Sequence, residues 1–533
     1  MEANADFNLE FVKIVFYHFP KLFKKLGQVT DPRKKGKIKY TSETLLTARI
    51  VMSVLSSDSM RNGGSMINNP YVINLLGLLT GQELVSAPHY DTINNYLEKC
   101  PSEQLQYIVT EMTESLMEKK IFNAHRADGY ILVAADGTKY QDLGDTATDE
   151  SLRKIHNKGT DEQWQENYCY ALEAKVIIGD MVFSLMTEFI ENKNESLGDL
   201  KAKQDCELKG IKRLLVRLKN RFPKLRLCII CDSLMNCDAF YNQCESLGFK
   251  YINRFKGGSI PSIQAKFEEL ENKPNTVIKT ETYVEDAEPK KGSKHSGTKF
   301  EYSFANGIEY LGNRINYIKM KASTYKDGEP TGETAKYVFV TNLKVTKENV
   351  IARVEQGRAR WGIENNGFNG QKCHGLHLEH VFSYKNNAMK CHYFLIQIAH
   401  TLIQLFEFGW KPMKIYKQVS DKYWGTVLCE HFRNRMVTPE MFEATISAKF
   451  QVRLDMPPAW ENVEPKVPKC LKFNHTKKRS KGKAKTNKAK ADPKTNTEPK
   501  TKEEAKTKEE SKDKTNPKAK TESKAKTESK AKA

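Results

Sequence analysis

The sequence lacks the features that mark membrane-spanning and exported proteins. No apolar run approaches the roughly 18 residues that a membrane helix needs. The opening segment, MEANADFNLEFVKIVF, has no basic start followed by an apolar core, which a secretory signal would require. We therefore exclude a membrane protein and expect a cytoplasmic location.

Cysteine is present without the spacing of a disulfide scaffold. The 11 cysteines are an odd number, which in a chain without an export signal predicts reduced thiols. Cys228 and Cys231 form a CxxC pair inside the apolar run LRLCIICD. Residues three apart on a strand face opposite sides of the sheet, so the pair favours a buried strand over a zinc or redox site.

Basic residues are abundant and unevenly distributed. The formal net charge is +20, and a field of this sign attracts polyanions such as nucleic acid. Residues 476–533 alone carry +12, which leaves +8 for the preceding 475 residues. Net charge is therefore only modest support for nucleic-acid binding by the folded part of the chain.

Residues 1–125 are predicted to form an all-α N-terminal domain. Apolar residues recur at a spacing near 3.6 in FNLEFVKIVFYHF, TSETLLTARIVMSVL and SEQLQYIVTEMTESLMEKK. We expect breaks at DPRKKGKIKY, MRNGGSMINNP and VSAPHYDT, with Thr41 or Ser42 capping the second helix and Ser102 the last. The basic run at 33–39 suits a phosphate-binding loop and a solvated loop equally well.

Residues 126–256 change to strands alternating with helices. YILVAAD and RLCIICD are apolar strands that each end in an acid. YCYALEAKVIIG and MVFSLMTEFI predict a hairpin that turns at Gly179 and Asp180. With the amphipathic helix ELKGIKRLLVRLKNRF between strands, the order predicts an α/β fold, a mixed sheet with flanking helices.

The remaining segments differ in composition. Residues 257–335 are polar and β-prone and predict a β-rich insertion, after which the core resumes over 336–415 with one long helix through 346–372. Residues 416–465 read as a helical C-terminal extension. The Lys-rich segment 466–533 has almost no apolar residue except Ala beyond Pro468 and is predicted to be a disordered basic tail.

Three acids are candidates for catalysis. Asp136 and Asp232 each end an apolar strand, and Glu364 lies on the long helix; the carboxyl ends of strands are where sites form in open α/β sheets. Converging carboxylates need a cation, and oxygen-only ligands favour Mg²⁺ or Mn²⁺. Two such ions about 3.5–4 Å apart promote phosphodiester chemistry.

Each acid taken singly has a simpler explanation. A strand-terminal Asp is more often a turn former or a helix cap, and Glu364 alone could be a solvated helix charge. Competing acids nearby do not directly end an apolar strand; they are Asp128, Asp142, Asp145 and Asp238. On an unbroken helix, Arg360, Glu364, Phe368 and Lys372 would share one face, because they are spaced by four.

The combination resembles the insertion-sequence transposases of the DDE superfamily, in the subgroup with a β-rich insertion between the second and third acids. The segment RARWGIENNGFNGQK is similar to the signature Y-x2-R-x3-E-x6-K of that subgroup, and VTNLKVTKENV and KQDCELKGIKRLL also resemble its sequences. Two positions depart from the signature: Gly357 stands in place of Tyr, and the Lys is one residue late, at Lys372, with Gln371 in its formal place.

The resemblance implies a ribonuclease-H-like core and a DNA transposase that cuts transposon ends and joins them to target DNA. It implies that Asp136, Asp232 and Glu364 are catalytic and hold two Mg²⁺ (or Mn²⁺) ions, and that Arg360 and Lys372 bind DNA phosphates. The implied partners are double-stranded DNA, with the N-terminal domain contributing to its binding, and a second copy of the chain in the DNA complex. The location would be at the nucleoid, or nuclear in a eukaryotic host.

Several alternatives stay open at this point. The chain could be a transposase-derived DNA-binding protein without activity, or a metal-dependent nuclease on the same fold. Whether a hairpin intermediate forms is also open. Members of the resembled family that form hairpin ends stack a Trp of the insertion on a flipped base, and the segment 257–335 has no Trp. A zinc site in the cluster of Cys and His between 373 and 392 is conceivable, but its spacing fits no common zinc motif, and structural histidines are favoured.

Overall fold

The computed structural model describes residues 6–119, 123–192, 204–285, 296–326, 329–409, 421–454 and 456–472. All of these residues belong to one compact unit. The disorder predicted for 466–533 is wrong for residues 466–472, where Lys469–Lys472 is helical and Leu471 is buried. The basic tail beyond residue 472 lies outside the described residues, so its predicted disorder stays a prediction. In the described part of the chain, no helix is both long enough and apolar enough to cross a membrane.

The first part of the chain is helical. Its helices are α1 (Phe7–His18), α2 (Leu22–Gly27), α3 (Ser42–Val54), α4 (Met60–Ile67), α5 (Pro70–Thr80), α6 (Tyr90–Leu97) and α7 (Ser102–Glu118). Thr41 caps α3 by accepting a hydrogen bond from the backbone N–H of Thr44, as the sequence predicts. The prediction of Ser102 as a cap is wrong, because Pro101 takes the cap position and Ser102 is already helical.

Helix α4 lies where the sequence predicts a break. Ser59 caps it through the backbone N–H of Asn62, which offsets the poor helix propensity of the two glycines that follow. Gly63 is packed so closely that a Cβ there would be 2.8 Å from the Ser57 hydroxyl and 2.9 Å from Met52. Glycine serves here for close packing rather than for a turn.

The middle of the chain forms a mixed sheet. Its first elements are β1 (Ile131–Gly144), β2 (Leu152–His156), β3 (Trp164–Ile178), β4 (Met181–Ile190), α8 (Glu207–Arg221), β5 (Leu227–Cys231), α9 (Asp238–Leu247) and β6 (Lys250–Arg254). β3 is antiparallel to β1, β2 and β4, whereas β1, β5 and β6 run parallel. The hairpin predicted at Gly179 is confirmed, and this glycine has a left-handed φ of +59°. The short strand β2 is not predicted, because five mostly polar residues give no clear period.

The β-prone segment extends the same sheet. It contains α10 (Pro261–Glu271), β7 (Ile278–Glu285), β8 (Gly297–Tyr310), β9 (Asn313–Lys326) and β10 (Glu329–Thr341). β10 pairs antiparallel with β6 on one side and with β9 on the other, so the described strands form one ten-stranded sheet. The boundary predicted between residues 335 and 336 falls inside β10.

The long helix predicted through 346–372 is interrupted. It is divided into α11 (Val350–Arg358), a π-helix (Ile363–Phe368) and α12 (Asn369–Cys373). Between the first two, hydrogen bonds from Gly362 to Ala359 and from Ile363 to Arg360 tighten the chain to a three-residue spacing. A tight turn followed by a wider one changes which residues share a face, and π-turns are frequent at functional sites.

The last described helices pack mainly against the N-terminal helices. They are α13 (Asn386–Gly409), α14 (Asp421–Asn434), α15 (Pro439–Ser447) and α16 (Lys469–Lys472). Helices α3 and α7 pack against α13, and α1 packs against α14 and α15. One hydrophobic core therefore runs from the N-terminal helices into the sheet, and it holds the sheet edge that carries the predicted acids.

Candidate active site

Asp136 lies in the middle of β1 rather than at its end. The parallel ladder with β5 stops at Ala134, but the antiparallel ladder with β3 continues through Asp136 to Gly144. The sequence expectation of a strand-terminal acid therefore holds only for the parallel part of the sheet. Asp136 lies two residues beyond that part, where β1 no longer pairs with β5.

Asp232 directly follows β5, as predicted. Its carboxylate accepts a hydrogen bond of 2.9 Å from the backbone N–H of Leu234 and caps the short 3₁₀ turn Ser233–Met235. The simple interpretation of this residue as a cap is therefore correct. That role uses one carboxylate oxygen and leaves the other for a ligand.

Glu364 reaches the first acid through Arg360. The guanidinium of Arg360 donates to Asp136 Oδ2 at 2.5 Å and to Glu364 Oε1 at 2.7 Å. Arg360 is 10% exposed and Asp136 18%, whereas Glu364 is 47% exposed. Glu364 therefore lies on the solvent-exposed side of the site, and Asp136 lies on its buried side.

The charges of the four residues interact. Burial raises the pKa of Asp136 to about 7, and the charges of Glu364 and Asp232 contribute to this rise against the lowering effect of Arg360. Burial alone would lower the pKa of Arg360, but Asp136, Glu364 and Asp232 together hold it above its ordinary value. We call these four residues the acid cluster. The structure thus brings together four of the five predicted site residues.

Lys372 is not part of the acid cluster. Its ammonium forms an ion pair of 2.8 Å with Glu379. Phe368, the residue between Lys372 and Glu364 in the predicted four-residue spacing, is buried against Ala134 and Ile177. The shared face predicted from that spacing is confirmed for Arg360 and Glu364 and wrong for Phe368 and Lys372, because the π-helix adds to the turn between these residues.

Glu207 and Tyr170 lie beside the acid cluster and were not predicted. The Tyr170 hydroxyl donates a hydrogen bond to Glu207. A Cβ on Gly137 would be 2.5 Å from the Tyr170 ring and 2.6 Å from Glu207 Oε1, so glycine is required next to Asp136. Burial raises the pKa of Glu207, and the charge of Asp232 adds to this rise. The only sequence signal was the position of Glu207 at a helix start, where acids are common for electrostatic reasons.

The acid cluster suits a divalent cation in charge and in donor chemistry. Its three carboxylates face one guanidinium, and carboxylate oxygens are the ligands that Mg²⁺ and Mn²⁺ prefer. As arranged, however, no group of three His, Cys, Asp or Glu within the described ranges is placed to hold a metal ion. For all three acids to bind one, Arg360 would have to release Asp136 and Glu364.

Both departures from the transposase-like signature have a structural basis. Gly357 packs against β10, where a Cβ would be 2.6 Å from the Phe339 ring, so a tyrosine has no room. Gln371 is fully buried and hydrogen-bonds to Gln397 and His400 on α13. Neither position can present a side chain to a substrate in this arrangement.

Replacing Gly357 with Ala is expected to destabilise the protein by about 1–3 kcal/mol because of overpacking against Phe339. In an open helix the same change would stabilise by about 1 kcal/mol. Urea unfolding measures the difference. Gly36→Ala is the control, because a Cβ there meets nothing within 4 Å; equal effects of the two changes would contradict the packing argument.

The Cys and His cluster between 373 and 392 gives no zinc site among the residues that the structure describes. His392 is buried between Arg49 and Asn94, with hydrogen bonds of 2.8 Å to each. Cys228 and Cys231 are buried free thiols in β5. His392 therefore has a structural role.

Comparison with known proteins leaves the family open. No family model matches the chain, and no curated protein matches it. Among solved structures, the cryo-EM structure of the piggyBac transposase synaptic complex with hairpin DNA aligns at 10% identity with a TM-score of 0.35, over 82% of this chain and 84% of that chain. A TM-score this low does not establish a shared fold.

Proposed function

We propose that this chain is a DNA transposase that cuts transposon ends and joins them to target DNA, with Asp136, Asp232 and Glu364 as its catalytic acids. One observation carries the proposal: Asp136 and Glu364, far apart in sequence, both accept hydrogen bonds from Arg360, and Asp232 follows β5, the strand that pairs with β1 of Asp136. A structural ion pair needs one acid for one base, whereas three carboxylates grouped around one base, with Asp136 largely buried among them, are typical of functional sites. The mixed sheet with flanking helices supports a ribonuclease-H-like core.

The residues of the cluster would have separate roles. Two Mg²⁺ or Mn²⁺ ions held by the acids would supply the Lewis acidity that phosphodiester cleavage requires. Asp136 is fixed by its strand and Asp232 by its cap hydrogen bond, so both are preorganised. Glu364 is half exposed and would adjust as the substrate enters. Arg360, which now holds two carboxylates, would transfer its hydrogen bonds to a DNA phosphate.

The partners follow from the same proposal. The net charge of +20 favours binding of double-stranded DNA, and the terminal inverted repeats and the target would both be bound. Two transposon ends must be brought together, so we propose a homodimer in the DNA complex. Lys372, although paired with Glu379 here, is proposed as a further phosphate contact at the rim.

The experiment that tests the proposal starts from the DNA that flanks the gene. Inverted repeats bracketed by short direct duplications would identify the ends, which then serve as substrate for cleavage and strand transfer with Mg²⁺. Asp232→Ala is the inactive control, since it removes one proposed metal ligand. We expect end-specific cleavage followed by joining to a target duplex.

The other outcomes separate the alternative functions. Cleavage without joining would indicate a metal-dependent nuclease. Specific binding without cleavage would indicate a DNA-binding protein derived from a transposase. Cleavage by the Asp232→Ala variant at the wild-type rate would show that the acid cluster is not the active site.

A further inference from the structure

Arg254 lies at the same sheet edge as the acid cluster. It is the last residue of β6, which runs parallel to β5 with Cys231 opposite Asn253. Asp232 and Arg254 are the next residues on the two strands, so both stand where the parallel ladder ends. Burial lowers the pKa of Arg254, and the positive charge of Arg360 contributes to this lowering.

The guanidinium of Arg254 is held rigidly by neutral groups. It donates to the backbone carbonyl of Val338 at 2.9 Å and to that of Lys336 at 3.2 Å. It also lies over two rings of β10, with 4.9 Å to the centroid of Tyr337 and 5.5 Å to that of Phe339. These contacts fix the plane of the guanidinium without neutralising its charge.

No carboxylate in the described chain forms an ion pair with Arg254. Six arginines in or beside the sheet have a carboxylate partner: Arg213, Arg217, Arg221, Arg353, Arg358 and Arg360. Arg49 also has none, but it is fully buried and hydrogen-bonds to His392 and Ser53, so no ligand reaches it. Arg254 is only partly buried, and its charge is both uncompensated and accessible.

We propose that Arg254 binds a phosphate of the DNA strand that enters the acid cluster, as a second arginine beside Arg360. This inference rests on the proposed function. A guanidinium with N–H groups left over from its two carbonyl contacts can bind a phosphate in bidentate geometry. The bound phosphate would supply the negative charge that the protein does not, and it would place the strand next to Asp232.

The test compares Arg254→Gln and Arg254→Lys with the wild-type full chain. The probe is a short fluorescein-labelled duplex that carries the element's end, and its binding is measured by anisotropy at several salt concentrations, with Ca²⁺ in place of Mg²⁺. For Arg254→Gln we expect affinity to fall about tenfold or more. The negative slope of log K against log salt should become less steep by about 0.9, because one phosphate contact is lost. Arg254→Lys should keep the slope and lose part of the affinity, because it keeps the charge without the fork.

Arg358→Gln is the matched control. Arg358 lies over the same ring, 5.2 Å from the Tyr337 centroid, but it pairs with Glu355 at 2.6 Å. Its loss should leave the salt slope unchanged. The melting temperatures of all variants show whether a substitution damages the structure. If the Gln variant is unstable, the Lys variant still tests the inference, because it should keep the salt slope and lose part of the affinity.

A second series assigns the contact. Neutral methylphosphonate is placed at single positions along the strand near the cleavage site. If Arg254 binds one of these phosphates, methylphosphonate at that position should weaken DNA binding by the wild type. The same modification should not weaken binding by Arg254→Gln further, because that variant already lacks the contact. Loss of the same size in both proteins at every position would overturn the inference while leaving the proposed function intact. Failure of the wild type to bind the duplex would overturn both.

Discussion

Replacing Asp136 with Asn is expected to abolish DNA cleavage and to raise the melting temperature at pH 8. The activity should fall by at least about a thousandfold, because a metal-binding carboxylate contributes several kcal/mol to the transition state. The gain in stability follows from the cost of holding an ionised carboxylate in a largely buried position. Function and stability are thus opposed at this residue.

The pH dependence of this gain has a definite sign. Folding raises the pKa of Asp136 from 3.8 to about 7, so the folded state binds the proton more tightly than the unfolded state. The contribution of the residue to stability is complete below pH 3.8 and is lost as the pH rises to 7. Asn is neutral throughout. The stability difference between variant and wild type should therefore grow between about pH 4 and pH 7 and stay constant above, at on the order of 4 kcal/mol.

Melting temperatures across this range, with and without Mg²⁺, make the measurement. Mg²⁺ should stabilise the wild type at pH 8 and have little effect on Asp136→Asn, because only a protein that binds the ion is stabilised by it. Asp142→Asn is the control on the same strand: Asp142 is 49% exposed and pairs with Lys139 at 2.9 Å. An active Asp136→Asn variant, or one that gains nothing at pH 8, would contradict the assignment.

The sequence predicts local features of this site better than long-range ones. Asp232 after an apolar strand and the pairing of Arg360 with Glu364 both follow from short-range pattern, because strand ends and four-residue helix spacings are visible in the chain. Arg254 and Glu207 reach the same edge from other elements. Nothing in the sequence near them shows that folding places one beside Arg360 and the other beside Asp232.

The same division applies to the fold. The hairpin at Gly179 and the alternation of strands and helices are predictable, since each depends on a few neighbouring residues. The π-helix at 363–368 is not, and its Phe368 packs against Ala134 and Ile177, which are distant in sequence. The β-prone segment was predicted as an insertion, but its strands continue the sheet through the pairing of β10 with β6, which is a contact distant in sequence.

Replacing Glu173 with Gln is expected to destabilise the protein by about 3–5 kcal/mol, the usual cost of leaving a buried charge unpaired. Glu173 and Lys175 on β3 are fully buried, with 3.6 Å between carboxylate and ammonium. Tyr393 donates to Glu173 at 2.9 Å and Ser184 at 2.8 Å, so the carboxylate is well satisfied. Lys175 would keep only its hydrogen bond to Gln397.

Two further variants distinguish this mechanism from simple loss of hydrogen bonds. The double variant Glu173→Gln with Lys175→Met should recover most of the stability, because it removes the orphaned charge. Glu301→Gln is the surface control: Glu301 and Lys321 are also 3.6 Å apart but are 44% and 53% exposed, so the loss should stay below about 1 kcal/mol.

The deficit of Glu173→Gln should also shrink at high pH. Burial lowers the pKa of Lys175, and Glu173 opposes this effect, so removal of Glu173 lowers that pKa further. Stability from a depressed lysine pKa is lost as the pH falls and recovered as the pH rises. Urea unfolding at pH 6 and pH 9 measures this. Gln397 also hydrogen-bonds to Gln371 on α12, and α12 directly follows the π-helix that carries Glu364. The variant should therefore lose cleavage activity at a lower temperature than the wild type. A deficit that is equal at both pH values and unchanged in the double variant would show that the charge of Lys175 is not its cause.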